Sequence, residues 1–152
     1  MDLRNYVVEG FEYDLWANRC WLAVLPKIST DETREQFQHV LNHILGAQRN
    51  WLERCGGHNP PLTYDLDSDF EASAKAWQRF LRTANLEEEI HYSSASGDRY
   101  VNFLRQIVLH VMNHGTYHRG HLRGLAQSHG ITDFEDTDLI SYIRLKSQPV
   151  AD

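Results

Sequence analysis

Apolar residues recur at three- and four-residue steps through four long segments of this chain, and proline or glycine residues mark most of the boundaries between them. This spacing places the apolar side chains along one face of an α-helix. It predicts helices over residues 2–25, 31–55, 68–84 and 99–129. Alternating patterns typical of strands are almost absent. The sequence therefore predicts an all-α protein, a four-helix bundle with its helices in up-down-down-up order.

Shorter signals define the ends and connections of these segments. Pro26 follows the first helix, and the Ser68-x-x-Glu71 spacing predicts a capping box at the start of the third. The turn residues at 96–98 are compatible with a short extended strip or a hairpin within residues 86–98. Residues 133–146 are expected to pack back as a short helix or strand, a C-terminal extension of one domain that spans residues 1–152.

Composition excludes several classes of protein. With 15 Lys and Arg against 21 Asp and Glu, the formal charge of −6 argues against a nucleic-acid partner. The sequence has no run of 18 apolar residues and no basic-then-apolar start, so we expect a soluble, cytoplasmic protein without a membrane partner. Cys20 and Cys55 share no CxxC spacing, which favours free thiols in a reducing compartment.

Histidines are concentrated in residues 109–121, where His114 and His118 lie four positions apart. On a helix such neighbours differ by about 40° around the axis and about 6 Å along it, so both imidazoles can reach one metal ion. His43 lies on or beside the apolar stripe of the second helix and offers a third imidazole. Three nitrogens with open positions suit Zn, Ni or Fe. A purely structural role for the three residues remains the alternative.

Five neighbouring residues are candidates for the surroundings of such a site. His110 competes for a ligand position or lies beside the ligands, and His121 faces the site or the solvent. Arg119 is expected to cap or solvate its helix, with binding of an anionic substrate as the alternative. Trp16 and Asn18 belong to the core or line the mouth of a pocket. No HExxH, GxSxG or paired ExxH motif is present, so no catalytic residue is assigned.

Several motifs together resemble the DinB family of metal-binding four-helix bundles, in order along nearly the whole chain. They are YDLWAN at 13–18, HILGA at 43–47, WLER at 51–54, NHGTYHRG at 113–120 and TDLISY at 137–142. The resemblance implies a metal site with ligands His43, His114 and His118, and a homodimer. Related bundles include transferases and isomerases that use a low-molecular-weight thiol. The family pattern often has Gln where this chain has His121.

The resulting hypothesis is a metal-dependent enzyme, a thiol S-transferase or a hydrolase-like protein, whose ion would lower the pKa of a bound thiol or water. Its cofactors would be one divalent transition metal and a low-molecular-weight thiol, and its substrate a small molecule. The alternative is a non-catalytic metal-binding or stress-response protein that acts through dimerisation. A third possibility is a metal-free bundle that carries a histidine-rich helix.

Overall fold

The computed structural model describes residues 2–147, so Met1 and residues 148–152 of the predicted domain lie outside the described residues. The chain is mainly helical, as predicted, with one small antiparallel sheet. In chain order the elements are α1 (Leu3–Leu22), a 3₁₀ turn (Leu25–Lys27), α2 (Asp31–Arg54), α3 (Leu66–Leu81), β1 (Glu89–Ser93), β2 (Arg99–Phe103), α4 (Leu104–Ser128) and α5 (Leu139–Lys146).

Each of the long helices α1 and α2 packs against both α3 and α4. Arg4, in the first turn of α1, donates to the carbonyl oxygen of Leu81 at the end of α3. Arg19, in the last turn of α1, pairs with Asp67 in the first turn of α3. These two contacts, at opposite ends of the helices, show that α1 and α3 run antiparallel.

The interior follows the predicted apolar stripes most closely in α2. Its buried side chains include six of the apolar residues on the predicted inner face, namely Phe37, Val40, Leu41, Ile44, Leu45 and Leu52. At one end of the core Phe11 stacks on Trp77 with ring centroids 5.1 Å apart, and at the other Trp21 packs against Phe37. Such aromatic pairs add about 0.5–1.5 kcal/mol each beyond the area they bury.

A hairpin is present, but its second strand lies beyond the predicted residues 86–98, and the predicted start of the fourth helix was wrong. Residues 99–103 form β2, which pairs with β1 in the register Glu89↔Phe103 to Ser93↔Arg99. Gly97, with φ of 89°, permits the turn between the strands. The β-branched and aromatic residues of β2 favour a strand, and α4 begins after it, where Gln106 accepts a hydrogen bond from the Phe103 amide.

The predicted capping box at Ser68 was also wrong, because α3 begins earlier. Asp65 is the N-cap, and its carboxylate accepts hydrogen bonds from both the amide and the hydroxyl of Ser68. A charged oxygen is a stronger acceptor than a hydroxyl at a helix N-terminus, and it also interacts favourably with the helix dipole. Ser68 is therefore a donor inside the first turn rather than the cap.

The C-terminal extension is the short helix α5, which has no fully buried residue. Its Tyr142 packs on α1, with its ring centroid 5.2 Å from Trp16 and 5.6 Å from Tyr13. Within residues 2–147, no helix is long and apolar enough to cross a membrane.

Candidate metal centre

The contact between α2 and α4 brings together the three predicted ligands, His43, His114 and His118, which we call the three-histidine group. One ring nitrogen from each lies within 4.8 Å of the others. His43 Nε2 lies 3.2 Å from His114 Nε2, and the His43 and His118 ring centroids are 4.4 Å apart. The i,i+4 spacing on α4 supplies two rings on one face, and the facing helix supplies the third.

The separation of these nitrogens suits a shared ion. Two nitrogens bound at about 2.0–2.1 Å to a tetrahedral zinc ion are about 3.4 Å apart. The distance between His43 Nε2 and His114 Nε2 is close to that value. The nitrogen of the third ring lies within 4.8 Å of the other two, so its side chain would rotate to reach the same separation. The donor set therefore fits a borderline divalent cation.

The protonation of two of these rings also suits a cation. Burial first, and then the neighbouring imidazoles of His118, His43 and His110, lower the pKa of His114 to about 4. Burial is likewise the main reason why the pKa of His118 is lowered, followed by His43 and His121. Both rings are therefore neutral at pH 7 and present the lone pairs that a metal ion requires.

The three-histidine group lies at the surface rather than in the core. His114 and His118 are half-buried, and His43 is exposed although it was placed on or beside the inner stripe of its helix. It falls at the edge of that stripe, between the buried Val40 and the half-buried Ala47. A site in this position is open to solvent on one side, so an ion held there would keep room for water or a small ligand.

The other two histidines predicted near the site do not join the group. His110 is exposed and lies edge-on to Trp51, with its ring centroid 5.4 Å from that ring and 5.6 Å from His114. His121 is exposed, and its effect on the group is electrostatic, through His118.

Arg119 is buried in the core rather than capping or solvating its helix, so that interpretation was wrong, whereas its binding of an anionic substrate stays a prediction. It is only 2% exposed, and it forms an ion pair with Asp14 at 2.6 Å and donates to Asn18 Oδ1 at 2.8 Å. Asn18 is completely buried in the same network. Trp16 is half-buried and packs on Tyr142 of α5 rather than at the edge of the metal site.

Sequence reasoning missed the centre of this network, the buried carboxylate of Asp14. Besides the Arg119 pair, Asp14 accepts hydrogen bonds from Asn18 and from Gln48 of α2. Gln48 accepts in turn from Ser73 of α3 at 3.3 Å, so the network joins all four long helices. A signal was present: Asp14 and Asn18 continue the helical spacing that begins with the buried Val7 and Phe11. Because buried charges need partners, that position predicts a buried cation nearby.

The two cysteines are free thiols, as expected. Cys20 is half-buried and Cys55 is buried. Burial raises the pKa of Cys55 to about 12, so this thiol is a poor nucleophile at neutral pH.

Two cavities of about 550 Å³ lie elsewhere on the molecule. One is bounded by α1, α4 and residues 136–143, with Tyr13, Met112 and Thr137 in its wall. The other lies between α2 and the connection that leads to α3. None of the three histidines lines either cavity.

Comparison with known proteins agrees with the motifs. The sequence model of the DinB family matches residues 1–148. A curated relative, Protein DinB of Bacillus subtilis (strain 168), is 23% identical over 159 residues, which covers 84% of this chain and 88% of the relative. No solved structure gives a significant match.

Proposed function

Because the chain belongs to the DinB family and gathers three imidazoles at one point, we propose that it binds one divalent transition-metal ion through His43, His114 and His118. The observation that carries this proposal is the separation of their ring nitrogens, all within 4.8 Å of one another. Three imidazole nitrogen donors suit Zn, Ni and Fe, and the donor set alone does not choose among them.

We further propose that the site is the centre of a metal-dependent enzyme, a thiol S-transferase or a hydrolase-like protein. When bound, the ion would lower the pKa of a coordinated thiol or water and so supply a nucleophile at neutral pH. The rings of His114 and His118 are fixed one helical turn apart on α4, so they would determine the direction of the open coordination positions of the ion. The exposure of His43 would leave those positions accessible from solvent.

The proposed scaffold is a four-helix bundle in up-down-down-up order. The antiparallel contact between α1 and α3 supports it. So does the contact between α2 and α4, where the pairs Trp51–His110 and His43–His118 also require opposite directions. The homodimer and the cytoplasmic location stay predictions from the sequence.

Elemental analysis of the untagged protein tests the metal proposal. We expect close to one transition-metal ion per chain in the wild type and a large loss in His114→Ala. The matched control is His121→Ala, which removes an exposed imidazole of the same helix outside the three-histidine group. Equal metal content in all three proteins would overturn the proposal, and a wild type without metal would favour the metal-free alternative.

A non-catalytic metal-binding protein is the second candidate, favoured by the absence of the three histidines from both cavities described above. Titration of the cobalt-substituted protein with a small thiol separates the two. A thiolate absorption band that saturates indicates an open, exchangeable position and favours the enzyme. A spectrum that thiols leave unchanged, together with a sharp loss of stability on chelation, favours the structural role.

A further inference from the structure

The WLER motif at 51–54 has no part in the metal site described above, yet its first residue is linked to that site through His110 and its last residue packs on the first. Trp51 contacts His110, which in turn contacts His114 of the three-histidine group. Tyr92 of β1 lies edge-on to Trp51, with ring centroids 4.9 Å apart. The guanidinium of Arg54 lies 4.7 Å from the centroid of Trp51 and 5.6 Å from that of Tyr92.

These side chains form a continuous surface, which we call the aromatic row: His110, Trp51, Tyr92 and Arg54. It leads away from the three-histidine group along the contact between α2 and α4 and ends at the hairpin. His110 is exposed and the other three are half-buried, so the row is accessible to a small molecule. Each successive pair of groups is less than 6 Å apart.

Arg54 has no acidic partner among residues 2–147, where no carboxylate oxygen lies within 4.0 Å of its guanidinium. Arg19, Arg105 and Arg119, in contrast, are each paired with an acidic side chain. The hydrogen bond recorded for Arg54 is a long one, 3.4 Å from its Nη2 to the Ser93 carbonyl oxygen. The two rings hold the guanidinium plane and leave N–H donors available at its edge.

We propose that the aromatic row is a subsite for the carboxylate-bearing tail of a small molecule whose other end binds the metal. The planar fork of an arginine matches a carboxylate through two parallel hydrogen bonds, and an aromatic support fixes the fork in advance. Between Arg54 and the three-histidine group, the rings of Trp51 and His110 offer apolar surface to the middle of such a molecule. That the metal binds one end of the molecule rests on the proposed function. That Arg54 binds the carboxylate at the other end rests on the contacts within the aromatic row.

The competing explanation is that Arg54 only anchors the hairpin to α2. The two roles predict different responses to a ligand. An anchoring residue would affect the melting temperature and leave ligand selectivity unchanged. A binding residue would discriminate a carboxylate from a neutral group of similar size and shape.

The experiment compares a mercaptoalkanoate with the mercaptoalcohol of the same chain length on the cobalt-loaded protein. Affinity is read from the thiolate absorption band, and tail binding from the indole N–H signal of Trp51, assigned with Trp51→Phe. We expect the carboxylate to bind about three- to fivefold more tightly than the alcohol, as for a partly exposed ion pair, once the chain is long enough to reach Arg54. The carboxylate alone should shift the Trp51 signal.

Arg54→Gln should abolish both differences, while Arg82→Gln, which removes an exposed arginine at the end of α3, should preserve them. Equal affinities at every chain length, or a preference that survives Arg54→Gln, would overturn the subsite. A thiol-free alkanoate, titrated into protein without added metal, keeps the two proposals separate. If cobalt does not bind, the metal proposal fails, and the subsite stands or falls on whether that alkanoate shifts the Trp51 signal.

Discussion

Gly115 lies on the face of α4 that meets α1, directly against the buried ion pair. A β-carbon at this position would lie 2.7 Å from Asp14 Oδ1 and 2.9 Å from Arg119 Nη1, the two atoms that form the pair. Neither group can move away easily, because Asp14 also accepts from Gln48 and Asn18 and both partners are almost fully buried. Gly115→Ala is therefore expected to force the pair or the helix to shift.

The magnitude follows from two opposing effects. Inserting a methyl group into a well-packed interior destabilises the fold by about 1–3 kcal/mol. Replacing glycine by alanine inside a helix stabilises that helix by about 1 kcal/mol. If the ion pair separates, the cost rises toward the roughly 3–5 kcal/mol of an uncompensated buried charge. With the ion pair closed, we expect Gly115→Ala to lower the free energy of unfolding by up to about 2 kcal/mol, which is up to about 8 °C in melting temperature for a chain of this size.

Gly124→Ala is the matched control, since it lies on the same helix with no atom within 4 Å of an added β-carbon. It should stabilise the protein by up to about 1 kcal/mol. Urea unfolding of both variants measures the difference, with the dependence on urea concentration confirming that each still unfolds in one step. A Gly115→Ala protein as stable as Gly124→Ala would refute the inference that the ion pair fixes the distance between α1 and α4.

Three further predictions concern charge and metal. Asp14→Asn should cost about 3–5 kcal/mol in urea unfolding, because it leaves Arg119 buried without its counter-charge. For the metal-free protein, unfolded imidazoles protonate near their ordinary pKa of 6.5 whereas folded His114 does so near 4. Stability should consequently fall as pH drops from about 6.5 to about 4, and less so in His114→Gln. His43→Ala should weaken metal binding, measured by competition with a chelator, by more than the roughly tenfold cost of losing a hydrogen-bond partner of a ligand.

Periodicity predicted the helices well where most of the inner face is apolar. In α2 the predicted stripe from Phe37 to Leu52 is buried, and the helix ends within one residue of the predicted position. The i,i+4 spacing of His114 and His118 predicted a shared face in the same way, since that spacing is a property of the helix itself. The proximity of His43 came from the family resemblance and from placing it on a facing helix, because tertiary contacts are not encoded in local spacing.

The errors arose at residues whose type is compatible with more than one kind of secondary structure or environment. Val101 fits both a helical stripe and a strand, and the pairing of β2 with β1, a contact between separate segments, decides in favour of the strand. Leu3 and Tyr6 fit the stripe of α1 but are 51% and 59% exposed, whereas the buried face of this helix includes the polar Asp14 and Asn18. A pattern that counts only apolar residues cannot find a core face that contains a buried ion pair.

The ion pair and the three-histidine group lie on the same stretch of α4 but on different faces, and this arrangement bears on how the metal site is held. Arg119 directly follows His118, and Gly115 directly follows His114. The buried ion pair therefore fixes the turn of α4 that carries both imidazoles, both in its rotation about the helix axis and in its position along that axis. Burial and the neighbouring imidazoles keep His114 unprotonated, so its lone pair would be available once a cation binds. The buried ion pair thus holds the neutral rings of His114 and His118 toward the exposed side chain of His43. The geometry of the site therefore depends on the stability of the folded protein.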